Sequence, residues 1–351
     1  MAPSEGKLEE LDEKTMDAIV KYVSNIRNGK IQGSEKIALA TVDLLEQIIS
    51  ESESANVLSL CNTVRAAGRH ITQALPTELV AANMVRRVLR AIRDEQRTHA
   101  NQSAEGAGES LQRLVLAAPS RRATLGPAAR DLREPIRDHI SEIRGEVESS
   151  SAGICAQAAR HVAAGGLVLA AAGGALLERF LRAAGRRHRL LLAEGPDVAE
   201  SHAMAARLAG AGVSVTLVGL AAVPALMPRV NKVIIGAVAA LAGGAALARA
   251  GALLVTTAAA HCAVEVLVLA PLHALSPLHA CDRLRLAARA PAADALPYMS
   301  AESAAVRVEA PMYDLLPPDH ITLFITNLGG SSPSYTYRLL SELYDPNDYQ
   351  L

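Results

Sequence analysis

Near residue 150 the hydrophobic pattern of this chain changes its period, and that change limits the folds open to it more than any other feature. Before it, apolar residues recur every three or four positions, as one face of a helix requires. Leu8, Leu11, Ile19, Tyr22, Val23 and Ile26 form a first such stripe, and Gly29 stands where a helix would stop. A second helix is expected after Ser34, whose hydroxyl can accept a backbone N–H, with Ile37, Val42, Leu44, Leu45, Ile48 and Ile49 on its apolar face. A third is expected over Ala55 to Ile71. A fourth should follow Pro76 and Thr77 and reach about Arg97, striped by Leu79, Val80, Met84, Val85, Val88, Leu89 and Ile92. Ala100 to Ser110 and Ala117 to Pro127 read as connections. Ala128 to about Ser149 then reads as one more long helix with Leu132, Ile136, Ile140 and Ile143 inward.

Beyond residue 150 the apolar residues gather into short unbroken runs separated by helical stretches. Leu167 to Ala171, Leu190 to Ala193, Val213 to Val218, Lys232 to Ala237, Val264 to Ala270 and Ile321 to Thr326 are the expected strands. Most of the first five are spaced as parallel strands joined by crossover helices are. The expected architecture is an all-helical domain, residues 1–148, followed by a Rossmann-like, mostly parallel α/β domain, residues 149–351. Leu208 to Pro228 carries no charge and is long enough to suggest a membrane span. Its Ala and Gly content, Pro224 and the absence of Trp or Tyr at its edges point instead to a buried strand and a buried helix.

Composition narrows the function. Lys and Arg total 35 against 36 for Asp and Glu, a net charge of -1, so no global field would hold nucleic acid or an anionic membrane. Cys61, Cys155, Cys262 and Cys281 form no CxxC pair, as expected for thiols in a reducing compartment. The opening MAPSEGKLEELDEK is acidic and lacks a basic region followed by an apolar run, so a cytosolic protein is expected.

Motifs for self-contained chemistry are scarce. Gly173 and Gly174 follow the first expected strand and Glu194 ends the second, which is part of a dinucleotide fingerprint. Leu177 stands where that fingerprint needs a small residue, so a tight strand-to-helix turn is the plainer reading, with a vestigial sugar-phosphate or nucleotide site as the alternative. His261 with Cys262, and His279 with Cys281, lack a second half at zinc spacing, and neither a metal nor a cofactor is expected. No P-loop, HExxH or Ser/His/Asp set occurs, and no catalytic residue is assigned. Arg86, Arg90, Arg93 and Arg97 line one face of the fourth helix. Such a stripe is either a solvated face balanced by acids such as Asp94 and Glu95 or a surface that receives an acidic or phosphorylated partner protein.

Four blocks carry a family resemblance: AANMVRRVLRAIRDEQ (81–96), PRVNKVIIGA (228–237), PMYDLLPPDHITLFITNLGG (311–330) and SPSYTYRLLSELYDPNDYQL (332–351). Together they resemble the regulatory-subunit family of the guanine-nucleotide exchange factor for translation initiation factor two, relatives of the methylthioribose-1-phosphate and ribose-1,5-bisphosphate isomerases. The similarity extends over essentially the whole chain. It departs from the family's pattern in Ala-rich stretches such as AGGAALARAGALL. The resemblance implies a non-catalytic subunit acting beside alpha, gamma, delta and epsilon subunits and facing the alpha subunit of the factor, whose phosphorylation the assembly senses. The related isomerases use a cysteine after the first strand and the aspartate of an NGD triplet. By resemblance those positions are Ala172 and the run Gly243, Gly244, Ala245, none able to carry a proton. Tyr313, Tyr335, Tyr337 and Tyr344, crowded near the end of a chain with few aromatics, are the expected subunit-interface residues.

Overall fold

The computed structural model describes residues 11–52, 57–105 (of 99–105, the helical backbone), 132–171, 173–185, 188–280, 288–291, 296 and 306–351. The chain divides into two compact units. One comprises Met1–Glu148 together with Leu343–Leu351, and the other Ser149–Glu342. The chain thus leaves the first unit and returns to it for its final nine residues, which the sequence pattern assigns to the α/β domain.

In the first unit α1 (Glu13–Arg27), α2 (Ser34–Glu51), α3 (Val57–Ala74), α4 (Leu79–Glu105) and the opening of α5 (Arg133–Cys155) surround one core. Ile19, Leu45, Leu60, Ile71, Met84, Leu89, Ile92, Ile136 and Ile140 are among its buried members, residues that helical spacing places on one face. Gly68 of α3 lets α4 approach closely, because a Cβ there would lie 2.5 Å from Val85 Cγ1. One polar pair is also buried. Thr41 spends its hydroxyl proton on the Ile37 carbonyl at 2.6 Å, so the Tyr22 hydroxyl, 2.6 Å from Thr41 Oγ1, is the donor of that second bond. Burial pushes the Tyr22 phenol up to about 12.

Two local expectations fail here. Ser34 begins α2 but does not cap it: Gly33, at φ +94°, holds the cap position, with no side-chain cap bond. Glycine reaches that backbone conformation without steric cost, and the first-turn amides find no Ser hydroxyl. Residues 100–105, expected to open a loop, continue α4, because nothing in that stretch breaks a helix. The connection expected at Ala117 to Pro127 lies outside the described residues.

The second unit is a ten-stranded sheet. β1 (Leu167–Ala171), β2 (Arg189–Ala193), β3 (Ser214–Val218), β4 (Lys232–Ala242), β6 (Glu265–Leu269) and β9 (Leu323–Thr326) run parallel in the order β3-β2-β1-β4-β6-β9. That is the doubly wound order with its reversal between β1 and β4. β10 (Gly329–Ser331) pairs antiparallel on the β9 edge. α6 (Ala175–Ala183), α7 (Val198–Gly210) and α8 (Ala252–His261) are the helices between strands, and α9 (Thr336–Leu343) follows the last strand. The core gathers Val168, Phe180, Leu181, Leu190, Leu192, Met204, Leu208, Ile234, Leu267 and Ile325.

β4 explains three of the four strands that the apolar runs did not reveal. Its first residues lie between β1 and β6, and the strand then runs on, where β5 (Ala246–Arg249) and β7 (Leu275–His279) pair with its later half and β8 (Tyr313–Leu316) pairs with β5. Gly243 and Gly244, at φ +87° and +81°, turn β4 into β5. Only glycine reaches that conformation without strain, and a Cβ at Gly244 would lie 2.5 Å from the Pro333 carbonyl oxygen. The uncharged run Leu208 to Pro228 spans the end of α7, β3 and short helical turns. β3 is an edge strand with Ser214 and Thr216 exposed, so the fully buried strand expected there is half solvated. Among the described residues no helix is long and apolar enough to cross a membrane.

Candidate interaction sites

The arginine stripe of α4 forms because residues spaced four, three and four apart return to one side of a helix. Its occupant is the chain's own segment 343–351. Asp348, fully buried, accepts from Arg65 and from Arg93 at 2.8 Å each through Oδ1. The Asp348 and Tyr349 carbonyls accept from Arg86 at 3.2 Å each, and the Tyr344 carbonyl accepts from Arg90 at 3.4 Å. Arg97 donates to Asp345 Oδ2 at 2.9 Å, and Arg93 lies 3.5 Å from Asp345 Oδ1. Burial raises the Asp345 carboxyl, but the Asn347 backbone bond and the neighbouring Arg97 and Arg93 outweigh it and hold the group below the ordinary carboxylate range.

The expected acids contribute as well. Asp94 pairs with Arg90 at 3.2 Å and with Arg97 at 3.1 Å, whereas Glu95 turns to His139 at 3.0 Å. Arg86 is buried at 3% exposure, while the Arg97 side chain is 62% exposed. Arg86 and Arg93 therefore do not line an open face. Arg65, one helix away on α3, belongs to the cluster, yet no spacing rule links it to α4.

The four tyrosines part company. Tyr344 is fully buried with its phenol pushed up by burial, so it is an anchor of the helical unit and not an exposed interface residue. Arg87, Arg86 and Glu146 lie near its phenol, and its own carbonyl serves Arg90. Tyr335 and Tyr337 are 40% and 71% exposed, with the Arg338 guanidinium 5.5 Å above the Tyr335 ring. Tyr313 sits half-buried in β8 opposite Arg249. Leu328 is also exposed, while Phe324 and Leu339 belong to the interior.

At the strand ends Gly174, at φ +140°, leads into α6, and Leu177 packs fully inside. Glu194 closes β2, its amide donating to the Val218 carbonyl and its carboxylate 3.3 Å from His202 of α7. Asp197 caps α7 through the Glu200 amide, and Ser201 Oγ accepts from the Gly195 amide, so this loop's polar groups satisfy one another. Ala172 and Cys281 lie outside the described residues. The Gly243, Gly244, Ala245 turn carries no titratable side chain. Among the described residues no three of His, Cys, Asp and Glu converge as metal ligands would.

Residues 30–333 match the model of the initiation factor 2 subunit family. The chain is 31% identical, over 96% of its length and 98% of the relative's, to translation initiation factor eIF2B subunit beta of Schizosaccharomyces pombe. A ribose 1,5-bisphosphate isomerase of Archaeoglobus fulgidus is 27% identical over 45% of this chain and 50% of the isomerase. Among solved structures, eIF2B beta from Chaetomium thermophilum superposes with a TM-score of 0.73 at 25% identity, covering 98% of this chain and 95% of that one. A tetrameric eIF2B-beta2-delta2 complex from C. thermophilum contains a chain that matches at TM-score 0.72 and 26% identity, covering 94% and 95%. On the family match and the full-length likeness together, this chain belongs to the initiation factor 2 subunit family.

Proposed function

We propose that this chain is a non-catalytic, cytosolic regulatory subunit of the guanine-nucleotide exchange factor for translation initiation factor two, occupying the beta position. The observation that carries the reading is its 31% identity to a beta subunit over nearly the whole of both chains, where the isomerase likeness spans under half. Its partners are then the alpha, gamma, delta and epsilon subunits and the factor itself, the factor's alpha subunit especially. Tyr335, Tyr337 and Leu328 supply exposed apolar surface suited to a homologous subunit, and half-buried Tyr313 is a further residue proposed for that interface. Of the arginines expected to meet an acidic or phosphorylated surface, Arg97 and Arg90 are the more accessible. Affinity purification of the tagged chain from cytosol should recover four partner polypeptides, and the recovered assembly should accelerate GDP release from the factor. Recovery of the chain alone, with no such acceleration, would sink the reading.

A second reading, sugar-phosphate isomerase, draws on the partial likeness to the A. fulgidus enzyme. General acid–base chemistry needs a titratable group at the reacting carbon, and the turn where the isomerases carry NGD is Gly-Gly-Ala here. Turnover of ribose 1,5-bisphosphate by the purified chain, lost on a single substitution, would reverse the preference. Gly173, Gly174 and Glu194 remain the proposed vestigial ligand site, tested by calorimetric titration with sugar phosphates and nucleotides: no heat would remove it.

A further inference from the structure

We infer that segment 343–351 is an internal acidic ligand, a latch that occupies the arginine cluster of α3 and α4 and excludes acidic partners from it until it is released. The inference stands on the geometry of the helical unit and holds whatever the chain's partners are.

Both ends of the latch are apolar anchors. Tyr344 is fully buried, and Leu351 packs against the helical core. Between them, Asp345 and Asp348 meet the helices through charge, and the Asp348 and Tyr349 carbonyls accept from Arg86. Asp345 folds the segment on itself by accepting from the Asn347 amide at 3.0 Å and side chain at 2.8 Å, which presents Asp348 to Arg65 and Arg93. Arg86 reads the backbone of the same turn. Recognition therefore asks for two carboxylates three residues apart behind a buried aromatic, a pattern that another acidic segment could present.

Arg65, Arg86, Arg90, Arg93 and Arg97 meet Asp94, Asp345, Asp348 and the carbonyls of the segment. Arg97, the most exposed member, gives an incoming anion a way in. Guanidinium groups already held in place for carboxylates need little rearrangement to receive others. Partly exposed ion pairs also weaken as salt screens them, so the latch should loosen at high ionic strength.

Digestion of the intact 351-residue chain with carboxypeptidase Y, followed by mass spectrometry, measures release directly. When opening and closing outpace cleavage, the trimming rate follows the open fraction. The Asp345→Asn/Asp348→Asn chain should lose residues beyond 343 at least about tenfold faster than the unaltered chain, with far-UV helicity unchanged. Equal rates overturn the latch. If the double variant fails to fold, Arg97→Gln, which removes only an exposed partner, should trim about two- to fivefold faster, and an unchanged rate there also overturns it. The trimmed chain is then offered a fluorescein-labelled peptide of sequence YDPNDYQL. It should bind, more weakly as salt rises, whereas the intact chain should not. Equal binding by both chains, or binding by neither, rejects the site as a receptor for acidic segments.

Discussion

The helical and α/β units share one source of stability, a core of large side chains, and differ in what they add to it. In the first, large side chains fill the core and ion pairs tie α3 and α4 to a residue far along the chain, as Arg65 and Arg93 do to Asp348, 283 and 255 positions later. The second has such a core as well, with Phe180, Leu190 and Ile234 in it, but around β4 and β5 small residues let main chains approach closely, as at Ala237–Ala248 and Gly244–Pro333. The first unit is vulnerable at its charges. Where main chains approach this closely, as at Gly244, the second unit is vulnerable at an added atom.

The hardest blow to the first unit is Asp348→Ala, which strips two arginines of their buried carboxylate. We expect a loss of about 3–5 kcal/mol, read by urea unfolding of the intact chain followed through helical circular dichroism. A loss below about 1 kcal/mol would mean that the arginines are satisfied by water and the comparison is misdrawn. In the second unit, Gly244→Ala adds one methyl at positive φ against the Pro333 carbonyl and should cost about 2–4 kcal/mol in the same measurement. A neutral result would show that the β4–β5 turn can shift. Smaller still is Asp314→Ala. Asp314 of β8 accepts from the Gly251 and Leu253 amides at 2.8 and 3.0 Å and so caps α8 from a distant strand. About 1–2 kcal/mol should be lost, and an Asn there should restore part of it.

The mildest probe is pH, and it separates the two units. Burial holds His188 below its ordinary value, and burial with Lys232 and Arg160 does the same for His161, both in the α/β unit. A folded state that resists protonation loses stability as pH falls through the unfolded value, about 6.5 for histidine, and the loss is complete below the folded one. Asp345 in the helical unit is depressed instead. Its contribution is fully present above the ordinary carboxylate value, about 3.9, and disappears as pH drops through the lower folded value. Hydrogen exchange followed from pH 7.5 to 4 should therefore report loosening near β2 before any near Asp345. The reverse order would contradict both assignments.

What sequence periodicity could reveal follows the same division. Helices α1 to α4 were legible because residues such as Ile19, Leu45, Ile71 and Met84 carry a strong apolar stripe. The six parallel strands were legible as apolar runs. β5 reads ALAR, β7 contains Pro277, β8 holds four residues and β10 is GGS, so none shows an apolar run of strand length. All four depend on what β4 offers beyond the parallel sheet or on the β9 edge, which is tertiary information. The arginine stripe was visible from its spacing, but its partners were not. Nothing local in YDPNDYQL announces that Asp348 is buried, and the proximity of Asp94 and Glu95 suggested nearer neighbours. Tyr344 was misplaced for the same reason, since an aromatic near the end of a chain looks exposed until its pocket is known.

The chain's return to its first unit sets an order on biosynthesis. A ribosome releases an N-terminal domain ahead of later ones, and such a domain ordinarily folds while the remainder is still being made. Here α3 and α4 emerge early, yet Asp345 and Asp348 are polymerised only after the whole sheet has been translated. Between the synthesis of α4 and that of residue 345, Arg65 and Arg93 lack the carboxylates of Asp345 and Asp348, and of the cluster's acids only Asp94, on α4 itself, is present to pair with Arg90 and Arg97.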